Sequence, residues 1–265
     1  MAAQILAQIH KAFETCTCEF LTFSNLDPTV SAKILYNLLI QKDLSALGLR
    51  IHFIAPDRYL RVVMPSRLHE TAVGWMRTEF SLWICYGLLT PIACVSLTDA
   101  MITYDTFVGA FAGSNKTPDL CYSPRVNDVP TEFPTIVLEA GWSESQAQLE
   151  RDCKLWLEGS AGAVKVVLLF KLLAANINNE IKATLTVCRV VDNELVMDPY
   201  EIFPPESIQD PFITVEELFG GRYPIDLNPL TIFPLSLVRL CHLAGAEIRK
   251  QEYIPMVIEN PKARG

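Results

Sequence analysis

The sequence has no uninterrupted apolar run of the ~18 to 20 residues that a membrane-spanning helix requires. Its longest apolar stretches, residues 82–95 and 164–170, are interrupted by glycine, threonine, proline or lysine. The N-terminus also lacks the basic residues that open a secretory signal, and Gln4, Gln8 and His10 dilute its apolar character. These absences predict no membrane partner and an intracellular protein, either cytoplasmic or nuclear.

Several signatures of common enzyme classes are absent as well. The chain has no G-x-x-x-x-G-K-[ST] loop for phosphate, no G-x-G-x-x-G turn for a dinucleotide and no G-x-S-x-G turn for a serine nucleophile. Its four histidines are well separated, so no H-E-x-x-H zinc motif exists. The sequence therefore gives no support to a P-loop enzyme, a serine hydrolase or a zinc peptidase.

The eight cysteines do not form a metal-binding or disulfide pattern. Only Cys16 and Cys18 are close together, and one C-x-C pair without a second pair is a poor zinc signature. The others are scattered through mostly apolar surroundings. This distribution is typical of reduced, buried thiols in an intracellular protein.

Acidic residues outnumber basic residues, 30 to 22, and the formal net charge is −8 at pH 7. This balance argues against broad, nonspecific binding to nucleic acid, since phosphate contacts need lysine and arginine. A local basic groove is still compatible with the sequence. Basic residues cluster at two places along the chain: Arg58, Arg61, Arg67 and Arg77, then Arg151, Lys154 and Lys165. The alternative is that these are solvated surface charges.

The 265 residues are ample for a large buried core, since half are hydrophobic, 20% are charged and the mean hydropathy is +0.24. Periodicity and turn signals predict helices at 1–14, 28–43, 66–86, 143–158 and 235–250. They predict strands at 49–54, 59–64, 119–122, 135–140, 164–172 and 180–191, and two more between 90 and 112. This order predicts an α/β protein in which helices pack on a mixed sheet.

We expect three segments along the chain. Residues 1–48 form an N-terminal helical extension, residues 49–197 form the core, and residues 198–265 form an irregular region with a last helix that packs on the core. The third segment is marked by a crowd of proline and glycine steps. The helices outside the core could be surfaces of a homo-oligomer.

Two acidic residues lie on the two predicted strands that follow each other in the middle of the chain. Asp119 follows Pro118, and Glu139 lies twenty residues later in the apolar stretch 134–141. A predicted helix that carries Lys154 comes directly after the second strand. Two carboxylates and a lysine at one sheet edge are a common way to hold a divalent metal against a phosphodiester.

These residues belong to an ordered series of short motifs. The series is Met64-Pro-Ser66-Arg-Leu-His69, Pro118-Asp119-Leu, Pro134-Thr-Ile-Val-Leu-Glu139-Ala, Asp152-Cys-Lys154-Leu-Trp156, Gly162-Ala-Val-Lys-Val-Val and Thr214-Val-Glu-Glu-Leu-Phe219. In order and spacing, it resembles the PD-(D/E)xK superfamily of nucleases, in particular a compact bacterial branch described as restriction endonucleases. The resemblance covers roughly residues 50–220.

The resemblance implies a restriction-endonuclease-like fold, a Mg²⁺ or Mn²⁺ cofactor and cleavage of nucleic acid, with DNA favoured. It implies that Asp119, Glu139 and the backbone carbonyl of Ala140 bind the metal, with Glu70 adding a carboxylate through water. Lys154 would orient the attacking water or balance charge. The chain departs from the superfamily pattern at Gly141, where the lysine usually lies, and Lys154 on the following helix would replace that lysine.

The residues themselves leave other interpretations open. Asp119 could be a turn residue, and Glu139 could pair with Arg125 or Arg151. Lys154 could be a solvated helix residue, and Glu70 could complement the helix dipole. His69, on a partly apolar helix face, could be a hydrogen-bonded core histidine. The corresponding alternative function is a catalytically degenerate nuclease fold that binds protein or nucleic acid.

Overall fold

The computed structural model describes residues 1–15, 20–40, 49–64, 66–142, 146–205 and 209–257. Within these ranges the chain is a mixed α/β protein that contains a mixed sheet with helices on both of its faces. Cys16, Cys18, Pro65 and parts of two predicted helices, residues 41–43 and 143–145, lie outside the described residues.

In the described residues the helices, in chain order, are Ala2–Thr15 (α1), Pro28–Ile40 (α2), Glu70–Cys85 (α3), Pro91–Val95 (α4), Gln146–Leu157 (α5), Val215–Phe219 (α6) and Leu237–Lys250 (α7). A single 3₁₀ turn spans Gly109–Phe111.

The strands are Phe20–Phe23 (β1), Arg50–Ile54 (β2), Tyr59–Val63 (β3), Leu97–Ala100 (β4), Asn115–Lys116 (β5), Leu120–Val126 (β6), Val129–Pro130 (β7), Ile136–Trp142 (β8), Val166–Leu172 (β9), Glu180–Ile181 (β10), Ala183–Val191 (β11), Glu194–Phe203 (β12), Phe212–Thr214 (β13), Ile232–Pro234 (β14) and Ile254–Pro255 (β15).

The chain divides into two units, and each is built from segments that are distant in sequence. Unit 1 contains Met1–Ser66, Met101–Pro118 and Glu158–Ala161. Unit 2 contains Arg67–Ala100, Asp119–Leu157 and Gly162–Gly265. The segment boundaries predicted at 48 and 197 differ from this division, because unit 1 continues through residue 66 and unit 2 includes residues on both sides of 197.

Unit 1 is a four-stranded antiparallel sheet in the order β1-β3-β2-β5. Alternate residues of β2 and β3, among them Phe53 and Leu60, join the apolar faces of α1 and α2 in one core. The other face of these strands buries basic side chains instead. There, Lys116 Nζ lies 2.9 Å from His52 Nδ1, and both side chains are buried.

Unit 2 contains a larger sheet in the order β12-β11-β9-β8-β6-β4, with β7 added to β6. Only β8 and β9 pair in parallel in this sheet as described, and α5 connects them as a crossover helix. Strand β9 is a nearly continuous run of buried apolar residues. This composition is expected for a central strand that is covered on both faces.

The two faces of this sheet are covered by different helices. Leu138 and Leu168 belong to an apolar core that also contains residues of α3, α6 and α7. The opposite face lies under α5, whose Trp156 is bonded to Glu139, a neighbour of Leu138 on the other side of the strand. The core therefore lies mainly on one face, and Glu139 lies on the other.

The segment that contains Thr214 has a clear structural role. The Thr214 side chain and Glu217 form a capping box at the start of α6. Gly220 ends this helix with φ +58°, and a Cβ there would lie 2.9 Å from Thr135. The side chain of Thr135 in turn donates to Leu218 O. These contacts attach α6 to the segment that enters β8.

Most of the long elements were predicted, and the differences have local causes. The helices predicted at 1–14, 28–43 and 235–250 are confirmed within the described residues. The helix predicted to start at Ser66 begins at Glu70. The prediction of two strands between 90 and 112 was wrong in part. Thr90 caps the short helix α4 in this segment, and β4 is the one strand assigned among its described residues. Strand β12 was missed because Pro199 interrupts its pattern.

No helix in the described part of the chain is both long and apolar enough to cross a lipid bilayer. At one edge of the larger sheet, β12 is ten residues long, and among the described strands it pairs with β11 alone. Its exposed residues include Glu194, Asp198 and Pro199.

The central position of β9 predicts a large cost of truncation there. Leu168 is fully buried, so Leu168→Ala should lower the free energy of unfolding by about 2–5 kcal/mol through lost burial and a cavity. Leu230 is 79% exposed, and Leu230→Ala should change the same quantity by less than about 0.5 kcal/mol. Urea unfolding measures both, and equal values for the two variants would contradict the assignment of β9 to the core.

Candidate functional site

Asp119 and Glu139 lie opposite each other on neighbouring strands. Strands β6 and β8 are antiparallel, and Leu120 pairs with Leu138. When this register is continued by one residue, Asp119, which immediately precedes β6, stands opposite Glu139. Residues directly opposite on an antiparallel pair project to the same face of the sheet. The two acids, which are twenty residues apart in the chain, therefore share one face.

The Asp119 carboxylate is buried and is held by two donors. It is only 1% exposed. Its Oδ2 accepts the backbone N–H of Ala140 at 2.6 Å, and its Oδ1 lies 2.7 Å from His69 Nε2. Since an ionised carboxylate only accepts hydrogen bonds, the proton of the second bond belongs to Nε2. The interpretation of Asp119 as a simple turn residue does not explain this arrangement.

The Glu139 carboxylate is also buried, at 4% exposure. Its Oε1 accepts the indole N–H of Trp156 at 2.6 Å. Trp156 lies on α5, so the helix that covers this face of the sheet supplies the donor. Buried charged groups are stable only when such partners compensate for the loss of water.

A third acid, Asp152, lies beside Glu139. It is also on α5, and it is 4% exposed. Carboxylate oxygens of Glu139 and Asp152 lie within 4.8 Å of each other. Two buried carboxylates at this distance repel each other unless a proton or a positive charge compensates them.

Lys154 is on the same helix but faces elsewhere. It lies two residues from Trp156, which is about 200° around a helix of 3.6 residues per turn. Its side chain is exposed, whereas its neighbours Cys153 and Leu155 are buried. The structure brings Asp119, Ala140 and Glu139 together, but it does not bring Lys154 to them.

The other two predicted metal ligands have different positions. Glu70 is the first residue of α3 and is half-buried, and it is its neighbour His69 that reaches Asp119. The N–H of Ala140 points toward Asp119, and the carbonyl of a strand residue points to the same side as its N–H. We therefore expect the Ala140 carbonyl on the Asp119 side of β8.

Only some of the basic residues considered for a groove lie at the surface. Arg61 is 2% exposed, and its guanidinium lies 4.8 Å from the centre of the Phe20 ring. Arg77 forms a half-exposed ion pair with Asp99. Arg58, Arg67, Lys154 and Lys165 are exposed, and Arg151 is half-buried. Arg61 therefore contributes to packing.

Arg125, one of the partners considered for Glu139, is exposed, and its Nε donates to Thr98 Oγ1 at 2.7 Å.

On the opposite face of the sheet, burial raises the pKa of the Tyr122 phenol well above its ordinary value. Tyr122 therefore stays neutral at physiological pH and supplies no base there.

No protein-family model and no curated protein matches this chain. The resemblance to the PD-(D/E)xK nucleases therefore depends on the order and spacing of the motifs quoted above.

Three residues of this site were not predicted to belong to it. His69 had been considered only as a core histidine, and Asp152 and Trp156 appeared only within a quoted motif. The helical spacing of Cys153 and Trp156 does give a signal, since it predicts that this side of α5 faces the sheet. No comparable pattern links His69 to Asp119, which lies 50 residues further along the chain.

The buried bond between His69 and Asp119 should be strongly coupled in energy. A double-mutant cycle of His69→Leu and Asp119→Leu, measured by urea unfolding with a chelator, should give a coupling of about 1.5–3 kcal/mol, as for hydrogen bonds to charged groups. The same cycle for the half-exposed pair Arg77 and Asp99 should give no more than about 1 kcal/mol. Couplings of equal size would contradict a special role for the buried pair.

Proposed function

We propose that this protein is a divalent-metal-dependent phosphodiesterase that cleaves nucleic acid, with DNA as the favoured substrate. The observation that carries the proposal is the placement of Asp119 and Glu139 opposite each other on adjacent strands, next to the backbone of Ala140. In this proposal the sheet of unit 2 is a restriction-endonuclease-like core.

The sheet topology supports the proposed fold. Two acids lie on an antiparallel pair, β6 and β8, and β8 then pairs in parallel with β9 through the crossover helix α5. This order places both acids on the face that α5 covers. It agrees with the order of motifs on which the resemblance depends.

The donor set fits a hard divalent cation. Mg²⁺ and Mn²⁺ prefer oxygen ligands, and Mg²⁺ needs only one or two carboxylates because it keeps several waters. Asp119, Glu139 and the Ala140 carbonyl would hold the ion, and Asp152 would add a fourth oxygen donor. When bound, the metal would polarise a phosphoryl oxygen and lower the pKa of a bound water.

Residues of the protein would orient the metal ligands and limit the access of water before the ion binds. The Ala140 N–H fixes one oxygen of Asp119, so the acid is oriented before any ligand arrives. The low exposure of both acids excludes most water, which strengthens electrostatic interactions at the site. We place Lys154 outside the proposed site, since its side chain is exposed on the far side of α5.

The second candidate function is a nuclease fold without catalysis that binds nucleic acid or protein. The burial of the acids favours it. Asp119 and Glu139 are at most 4% exposed, and a phosphodiester must come within reach of the metal to be cleaved. The exposed position of Lys154 also favours this alternative, because Lys154 then does not assist cleavage at the acids.

Glu139→Gln and Asp119→Asn test the proposed function. Each keeps the shape and an accepting oxygen of the side chain but removes its charge. With Mn²⁺, each should lower the rate of DNA cleavage by at least about 100-fold and should weaken Mn²⁺ binding in calorimetry by a similar factor. A wild-type chain that binds Mn²⁺ but cleaves neither DNA nor RNA would favour the binding fold.

Lys154→Ala tests whether Lys154 takes part in cleavage. Since Lys154 is exposed and faces away from Glu139, the variant should cleave DNA at a rate close to that of the wild type. A loss of cleavage rate of about 100-fold or more, which is typical of a positioned acid–base group, would show that Lys154 belongs to the site. Steady-state kinetics at saturating Mn²⁺ distinguish the two outcomes.

A further inference from the structure

His69 lies at a helix start but does not cap the helix. It occupies the N-cap position of α3, where serine, threonine, aspartate or asparagine would bond the first free N–H groups. The His69 side chain makes no such bond. Its ring instead reaches across to Asp119 Oδ1 at 2.7 Å, and it is 6% exposed. At this position, therefore, the side chain bonds to Asp119 and does not cap the helix.

The two donors to Asp119 come from separate parts of unit 2. One is the backbone N–H of Ala140 on the neighbouring strand, and the other is His69 from the segment before α3. Because each donor occupies a different oxygen, the carboxylate cannot rotate without breaking a bond.

Trp156 restrains Glu139 in the same way. Its indole is fully buried, and its single polar atom donates to Glu139 Oε1. An indole can only donate and cannot bind a metal. Asp152 lies beside this glutamate, with carboxylate oxygens of the two residues within 4.8 Å.

We propose that His69 and Trp156 are positioning residues that hold Asp119 and Glu139 in the geometry required to bind a divalent cation. The inference rests on the proposed function. Neither residue would touch the metal. Each would act through the acid to which it donates, because ligands that are oriented in advance lose less entropy on binding.

The test measures the affinity for Mn²⁺ alone, by calorimetry, in four variants of the full chain. His69→Leu and Trp156→Phe each remove one N–H donor and keep an apolar side chain. His69→Gln restores an N–H donor at the end of a similar side chain. Trp83→Phe is the matched control, since Trp83 is an equally buried indole of unit 2 that donates to the carbonyl of Pro234.

We expect His69→Leu and Trp156→Phe to weaken Mn²⁺ binding by about 10- to 100-fold, the usual effect of losing a group that orients a metal ligand. His69→Gln should recover most of the affinity. Trp83→Phe should bind Mn²⁺ like the wild type even if its melting temperature falls. In cleavage assays the two weakened variants should lose kcat and keep the KM for DNA.

Three outcomes would overturn the inference. If the wild type binds Mn²⁺ and the donor-less variants bind it equally well, the positioning role is wrong and the proposed function stands. If Trp83→Phe or His69→Gln loses as much affinity as His69→Leu, the effect is general destabilisation. If the wild type binds no Mn²⁺ at all, the proposed function and this inference fail together.

Discussion

The pairing of β6 with β8 is the constraint on which the candidate site depends. Side chains of a strand alternate between the two faces of a sheet, so a shift of one residue in this register would send Asp119 into the apolar core and leave Glu139 without an opposite acid. The large core under α3 and α7 opposes such a shift, because Leu120 would then leave that core. The apolar residues thus define where the acids lie.

The cost of burying these acids accounts for much of the polar structure around them. A carboxylate that leaves water without partners costs several kcal/mol. Asp119 is compensated by a backbone amide and a histidine, and Glu139 by an indole. These donors come from a strand, from the start of α3 and from α5. These contacts therefore connect the elements that surround the sheet.

The sequence was a good guide to the elements and a partial guide to the site. Hydrophobic periodicity predicted the long helices, and apolar runs predicted β8 and β9, because a covered sheet requires such residues. The two acids could be found from their position on consecutive strands. The partners of those acids could not, since a hydrogen bond between His69 and Asp119 depends on tertiary packing. The spacing on α5 could have shown that Lys154 faces away, because Trp156 and Cys153 mark the buried side.

The ten-residue edge strand β12 has a consequence for how this chain behaves at high concentration. Six of its ten residues are hydrophobic, and an edge strand is a template onto which another copy can add by backbone bonding. Pro199 lacks an N–H, and Glu194 and Asp198 add negative charge to this strand. Neutralising these two acids should promote fibril-like self-association well before the fold itself is lost.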